Sequence, residues 1–160
     1  MHKTRIDIPA KKRSPVIKLL NDRLCDLIML GRHAKQAHWN VKGPSFMALH
    51  ELFDELAGVI EEHVDTTAER ITALGGIAEA TITAVSKRTQ LPEYPLDLAA
   101  GLDHVDALAT SVAAAAKLTR EAIDEAEKLG DKDTADLLTG TSRELDKQLW
   151  FLEAHLQAPR

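Results

Sequence analysis

Residues 45–76 read SFMALHELFDELAGVIEEHVDTTAERITALGG. At about 100° per residue, Leu49, Leu52, Phe53, Leu56, Ile60, Thr67 and Ile71 gather on one side of a helix, and Gly75-Gly76 stops it. That side must face a core. With His50 set at zero, the core side centres at about 270°, whereas Asp54 falls at about 40°, Asp65 at about 60° and Glu69 at about 100°. These four residues form a second stripe, about 140° away from the apolar one. A solvated helix face also carries charge. Here, however, every member of the stripe is a potential metal ligand. The pairs His50/Asp54 and Asp65/Glu69 are spaced i, i+4, which directs two side chains to one spot. Imidazole with carboxylates, and no thiolate, suits iron or another borderline metal.

The two pairs stand about 16 Å apart along the helix, so one helix cannot bring both to one metal. A second copy running antiparallel across a two-fold axis near Val59–Ile60 can. His50/Asp54 of one chain then meets Asp65/Glu69 of the other, and the dimer holds two equivalent sites. Ala57 and Gly58 are small enough for helices to approach closely there. The alternative is a di-iron site within one bundle, which uses Glu-x-x-His motifs. None of the seven histidines has a glutamate three residues before it.

Proline and glycine punctuate the rest of the chain. Ser14-Pro15 reads as a helix start, and the apolar pattern after it runs to Asn40, where Gly43-Pro44-Ser45 breaks it. The helix quoted above follows. Residues 77–95 form a connector with a short helix around 77–86. A third helix runs from about Asp97 to Lys128, and a fourth from about Asp131–Asp133 to Leu156. The 23 alanines against six aromatic residues favour helix throughout. Four long helices with one long connection predict an all-α four-helix bundle with ferritin-like connectivity. The expected division is a flexible basic tail over 1–14, the bundle over 15–157 and a short C-terminal tail over 158–160.

The chain has 160 residues, 44% hydrophobic and 28% charged, which is ordinary single-domain material. One cysteine excludes a disulfide framework and a Cys-rich zinc site, and fits a reducing cytoplasm. No apolar run is long enough to span a membrane, and the N-terminus lacks a secretory signal's apolar segment. The net charge of −5 argues against a generic nucleic-acid surface. Lys3, Arg5, Lys11, Lys12 and Arg13 nevertheless concentrate positive charge at the N-terminus. A solvated end and a phosphate-binding arm are both open readings of that asymmetry.

The stretches KQAHWNVKGPSFMALHELFDE (35–55), HVDTTAERITALGG (63–76), YPLD (94–97) and DTADLLTGTSRELDKQLWFLEAHLQ (133–157) together resemble the Dps family, the mini-ferritins of bacteria. The likeness covers roughly residues 16–157, with H-W-N, H-x-x-x-D and D-x-x-x-E-R in order. It implies a ferritin-like bundle assembled into a hollow homododecamer. It also implies a ferroxidase that oxidises Fe(II), preferably with hydrogen peroxide and alternatively with O2, at two-fold interfaces, stores Fe(III) mineral in the shell and protects DNA from oxidative damage. The implied iron ligands are His38, His50 and Asp54 from one chain and Asp65 and Glu69 from its neighbour, with room for two irons per centre. Trp39 matches a tryptophan beside the centre, implicated in electron transfer and radical quenching; packing at the interface is the alternative. Glu62 matches a nucleation carboxylate or is an ordinary surface acid. Asp131 and Asp136 match acids lining the three-fold pore through which iron enters, and both also suit a helix N-terminus. Some family members bind DNA through a lysine-rich N-terminal extension. A nucleoid DNA-compacting role through the basic tail is therefore the alternative function, with multivalency over the shell in its favour. A cytoplasmic, nucleoid-associated location follows from the same likeness.

The remaining residues of chemical interest read as structural. His33, His63 and His104 have no convergent partner visible in the sequence. Cys25 lies among apolar residues, and Trp150 suits a core or interface anchor. His2 and His155 lie near the termini.

Overall fold

A computed structural model describes residues 1–157. It contains five helices: α1 (Ala10–Asn40), α2 (Phe46–Ala73), α3 (Ile82–Arg88), α4 (Gly101–Leu129) and α5 (Lys132–Leu156). The short links α1–α2 and α4–α5 make two antiparallel hairpins, and α1 packs on α4 to join them. The chain between α2 and α4 returns along the bundle. It leaves at Leu74 and comes back to the α1–α2 turn, where the Lys42 amide N–H donates to the Ala99 carbonyl at 2.9 Å. Helices α2 and α4 therefore run parallel, the ferritin-like arrangement expected from the connector's length. No helix among the described residues is long and apolar enough to cross a membrane.

Two apolar clusters form the core. One centres on Leu27, Leu30, Phe53, Leu56, Ile60 and Leu108, and the other on Leu20, Leu24, Ile71, Leu74 and Leu138. The apolar side read from the α2 sequence is the side that is buried, including Thr67. The other face of α2 is left outside both clusters.

The N-terminal boundary differs from the expectation. Helix α1 begins at Ala10, not Pro15, with Pro9 at its N-cap position. Pro15 lies inside the helix, where its missing N–H leaves only the exposed carbonyl of Lys11 for water to satisfy. Residues 10–14, assigned above to a tail, are thus helical. The nine residues before them contact the body. The His2 N–H donates to the Gly75 carbonyl at 2.7 Å, and Ile6 and Ile8 pack against the second cluster. Gly75 has φ +86°, and a Cβ there would meet the His2 carbonyl oxygen at 2.5 Å, so both the turn and the docked segment need glycine.

The connector is pinned by buried polar groups. Asn21 receives the Glu79 N–H at 2.8 Å and donates to the Ile77 carbonyl at 3.1 Å. Asp26 accepts from the Gln90 N–H at 2.7 Å and the Thr89 hydroxyl at 3.0 Å. Arg23 pairs with Asp26 at 2.9 Å and donates to the Leu118 carbonyl of α4 at 2.9 Å. Cys25 is buried beside these groups, and that burial pushes its thiol pKa up, away from reactive thiolate. The short helix of the connector falls at 82–88, later than the 77–86 expected, because Thr81 caps it by accepting from the Ala84 N–H at 3.3 Å.

Candidate metal centre

The last turn of α1 and the second turn of α2 place His38 over His50. Their rings stack at 3.7 Å between centroids, with 19° between planes. Each imidazole reaches the other residue's backbone: His38 Nδ1 lies 2.7 Å from the His50 carbonyl, and His50 Nδ1 lies 2.8 Å from the His38 carbonyl. A carbonyl only accepts, so each Nδ1 must carry the proton. In the neutral ring Nε2 then carries the lone pair, the form that binds a metal. The chain's own backbone thus sets both tautomers.

Asp54 lies one helical turn beyond His50 and is exposed. Its carboxylate is held by the Lys35 ammonium of α1. The hydrogen bond from Lys35, with the positive charge behind it, draws the Asp54 pKa below the ordinary carboxylate value. Lys35, Asp54, Gly31 and Gly58 line a shallow depression between α1 and α2. A Cβ on Gly58 would meet nothing within 4 Å, so that face is open to close approach.

Asp65 and Glu69 lie on the same outer face of α2, exposed, and no described residue pairs with either side chain. Among the described residues, no three histidine, cysteine or carboxylate side chains of this one chain converge as a metal-binding group. The structure brings His38 and His50 into contact, holds Asp54 one turn further along α2 against Lys35, and leaves Asp65 and Glu69 apart from them. Trp39, beside His38, is 66% exposed, and Glu62 is exposed on α2.

Two expected assignments need correction. Asp131 is 2% exposed and is no open pore acid. It takes a two-pronged contact from Arg70 at 2.7 and 3.0 Å and caps α5 through the Thr134 N–H at 3.1 Å. A carboxylate so engaged fixes α2 to α5. Asp136 remains exposed, in a depression with Glu127 and Lys132. Arg13 is likewise buried: it donates to the carbonyls of Leu74 at 2.6 Å and Ile8 at 2.9 Å, and so is not presented for phosphate contact. Lys3, Arg5, Lys11 and Lys12 are exposed.

The histidines read above as lacking partners have them. His33 Nδ1 meets the Ser111 hydroxyl at 3.0 Å, His63 Nδ1 meets that of Thr141 at 3.2 Å, and the Tyr94 hydroxyl meets His104 Nδ1 at 2.8 Å. Each pair joins residues from different elements, which no local spacing reveals. Trp150 is 62% exposed and is not a core anchor.

Bundle, crossover connector and a histidine–carboxylate face on the second long helix define a ferritin-like protein. Residues 17–160 match the ferritin-like domain family. The chain is 48% identical to the DNA protection during starvation protein of Agrobacterium fabrum over 98% of its own length and 96% of that protein's. The Dps of Mycobacterium smegmatis superposes with a TM-score of 0.92 at 33% identity, covering 98% of this chain and 95% of the other. A Dps protein from Vibrio cholerae, described as a member of a broad superfamily of ferritin-like diiron-carboxylate proteins, superposes at 0.90 with 25% identity, covering 98% of each chain. The chain belongs to the Dps family.

Proposed function

We propose that this protein oxidises Fe(II) at centres shared between two chains and stores the ferric product inside a homododecameric shell. The observation that carries the reading is the reciprocal His38–His50 contact. It uses only the two residues' own backbone carbonyls, leaves Nε2 of each neutral ring to a metal, and stands one turn from Asp54, which supports reading these residues as half of an iron site. Asp65 and Glu69 of a second chain supply the other half. Iron here is substrate, and hydrogen peroxide is the oxidant. Two irons held together deliver two electrons to one peroxide, which avoids the one-electron step that releases hydroxyl radical. Open coordination positions, left by a set of imidazoles and carboxylates, admit the oxidant. Glu62 and Asp136 are retained as interior and pore carboxylates.

The docking of residues 2–8 on the body weighs against a free DNA-binding arm. If DNA is bound, the contacts fall to Lys3, Arg5, Lys11 and Lys12. Peroxide-dependent oxidation of Fe(II), followed by the ultraviolet absorbance of the ferric product, tests the main reading. Glu69→Ala should slow it by at least about 100-fold, the upper range for lost metal-site support, while leaving thermal unfolding unchanged. A wild-type rate in that variant rejects the site.

A further inference from the structure

We propose that Arg32 of one chain and Glu61 of a second copy form an ion pair, repeated across the two-fold axis, that sets the register in which the iron centre is completed. This rests on the shared centre proposed above and names the contact that aligns its halves.

The outer face of α2 is acidic along its length. With His50 at zero, Glu61 falls at about 20°, in the stripe with Asp54, Asp65 and Glu69. Two such faces brought together antiparallel repel each other unless cations stand between them. Helix α1 carries two cations beside this face. Lys35 and Arg32 line the depression between α1 and α2, and so do Gly58 and Glu61. The Lys35 ammonium is already held by Asp54 of its own chain. Arg32 is exposed, and no described residue pairs with its guanidinium. Glu61 is exposed as well and pairs with no described residue. Arg32 and Glu61 thus share one depression without meeting inside their own chain.

The register of the shared centre brings them together across the axis. Lys35 stands beside Asp54, and His38 beside His50. Counting back along α1 and forward along α2, Arg32 stands level with Ala57 and Gly58. With His50 opposite the partner's Glu69, and Asp54 opposite the partner's Asp65, Gly58 falls opposite the partner's Glu61. A Cβ on Gly58 would meet nothing within 4 Å, so the space there is open to a carboxylate from the other chain. Helices that cross stand about 8–10 Å apart, which a glutamate side chain spans. The partner's Glu61 enters over Gly58 beside Arg32, and the axis repeats the contact. A guanidinium takes a carboxylate in a two-pronged contact that fixes direction as well as distance. Closure of the interface excludes water from it, so it is worth more than an open surface pair. A slip in register parts this pair and the two ligand halves together.

Charge reversal in two separate variants provides the test. In Arg32→Glu, each contact across the axis sets Glu against Glu; in Glu61→Arg, it sets Arg against Arg. Each variant alone should associate at least about tenfold more weakly than the wild type, read by native mass spectrometry on dilution, and should lose Fe(II) oxidation in step. Circular dichroism should show the wild-type helix content in both, because both side chains are exposed. Mixed, the two variants satisfy both contacts across the axis. Chains of one kind should then pair with chains of the other, distinguished by isotope labelling, and oxidation should return. Like charges remain inside each chain of the mixture, so a contact within one chain would give no recovery. Wild-type association of either variant alone overturns the proposal. So does a mixture that fails to recover; rescue confined to the doubly reversed chain, R32E/E61R, would place the contact inside one chain. Selective pairing in the mixture, with no Fe(II) oxidation by the mixture or the wild type, supports the contact and rejects the iron reading instead.

Discussion

The two ends of the α2 outer face are built differently. At the N-terminal end, His50 and Asp54 are engaged by their own chain: His38 locks the His50 tautomer, and Lys35 holds the Asp54 carboxylate. At the C-terminal end, Asp65 and Glu69 stand exposed, while their neighbour Arg70 turns away to grip Asp131 of α5. The first end is organised before any partner arrives. The second is rigid in backbone but bare in side chain, which is what a helix contributing ligands to another molecule should look like.

The contrast can be broken most severely at Arg70. Replacing it with alanine leaves Asp131 as a buried charge without its cation and unties α2 from α5. The expected loss is about 3 kcal/mol or more in unfolding free energy, read from urea denaturation. A change below 1 kcal/mol would mean the C-terminal end is not anchored as described.

The N-terminal end depends on α1 staying against α4, and His33–Ser111 is one join between them. Burial pulls the His33 pKa from 6.5 down to about 4. In that window the unfolded chain binds a proton that the folded chain does not. Stability is therefore complete above pH 6.5 and falls as the pH drops toward 4. His33→Gln, which keeps a partner for Ser111, should flatten this part of the profile of unfolding free energy against pH. An identical slope would show that His33 does not set it.

The smallest effect on folding belongs to Lys35. The pair with Asp54 is exposed, so Lys35→Ala should leave unfolding unchanged. The Asp54 pKa should rise toward its ordinary value, followed by carboxyl chemical shifts. An unmoved pKa would remove Lys35 from the account.

Much of this was legible in the sequence, for reasons tied to distance along the chain. The stripe on α2 is readable because i, i+4 spacing places side chains together without knowledge of the rest. The bundle and its crossover are readable from apolar period and punctuation. The His38–His50 backbone exchange was half legible: both residues were singled out, but not the bonds between them. Arg70–Asp131 joins residues 61 apart and His33–Ser111 joins residues 78 apart. Such pairs appear only once helices are packed. Ser14-Pro15 misled because a capping serine followed by proline reads as a helix start, whereas α1 already runs from Ala10 and Pro15 interrupts its hydrogen-bond ladder from within.

Mixed assembly tests the shared centre most directly. One variant carries His50→Ala and Asp54→Ala, the other Asp65→Ala and Glu69→Ala, and each alone should be inactive in Fe(II) oxidation. Refolded together, a mixed pair rebuilds one of its two centres from intact halves, and activity should return in proportion to mixed pairs formed. Continued inactivity of verified mixed assemblies, or full activity of either variant alone, would contradict a site divided between chains.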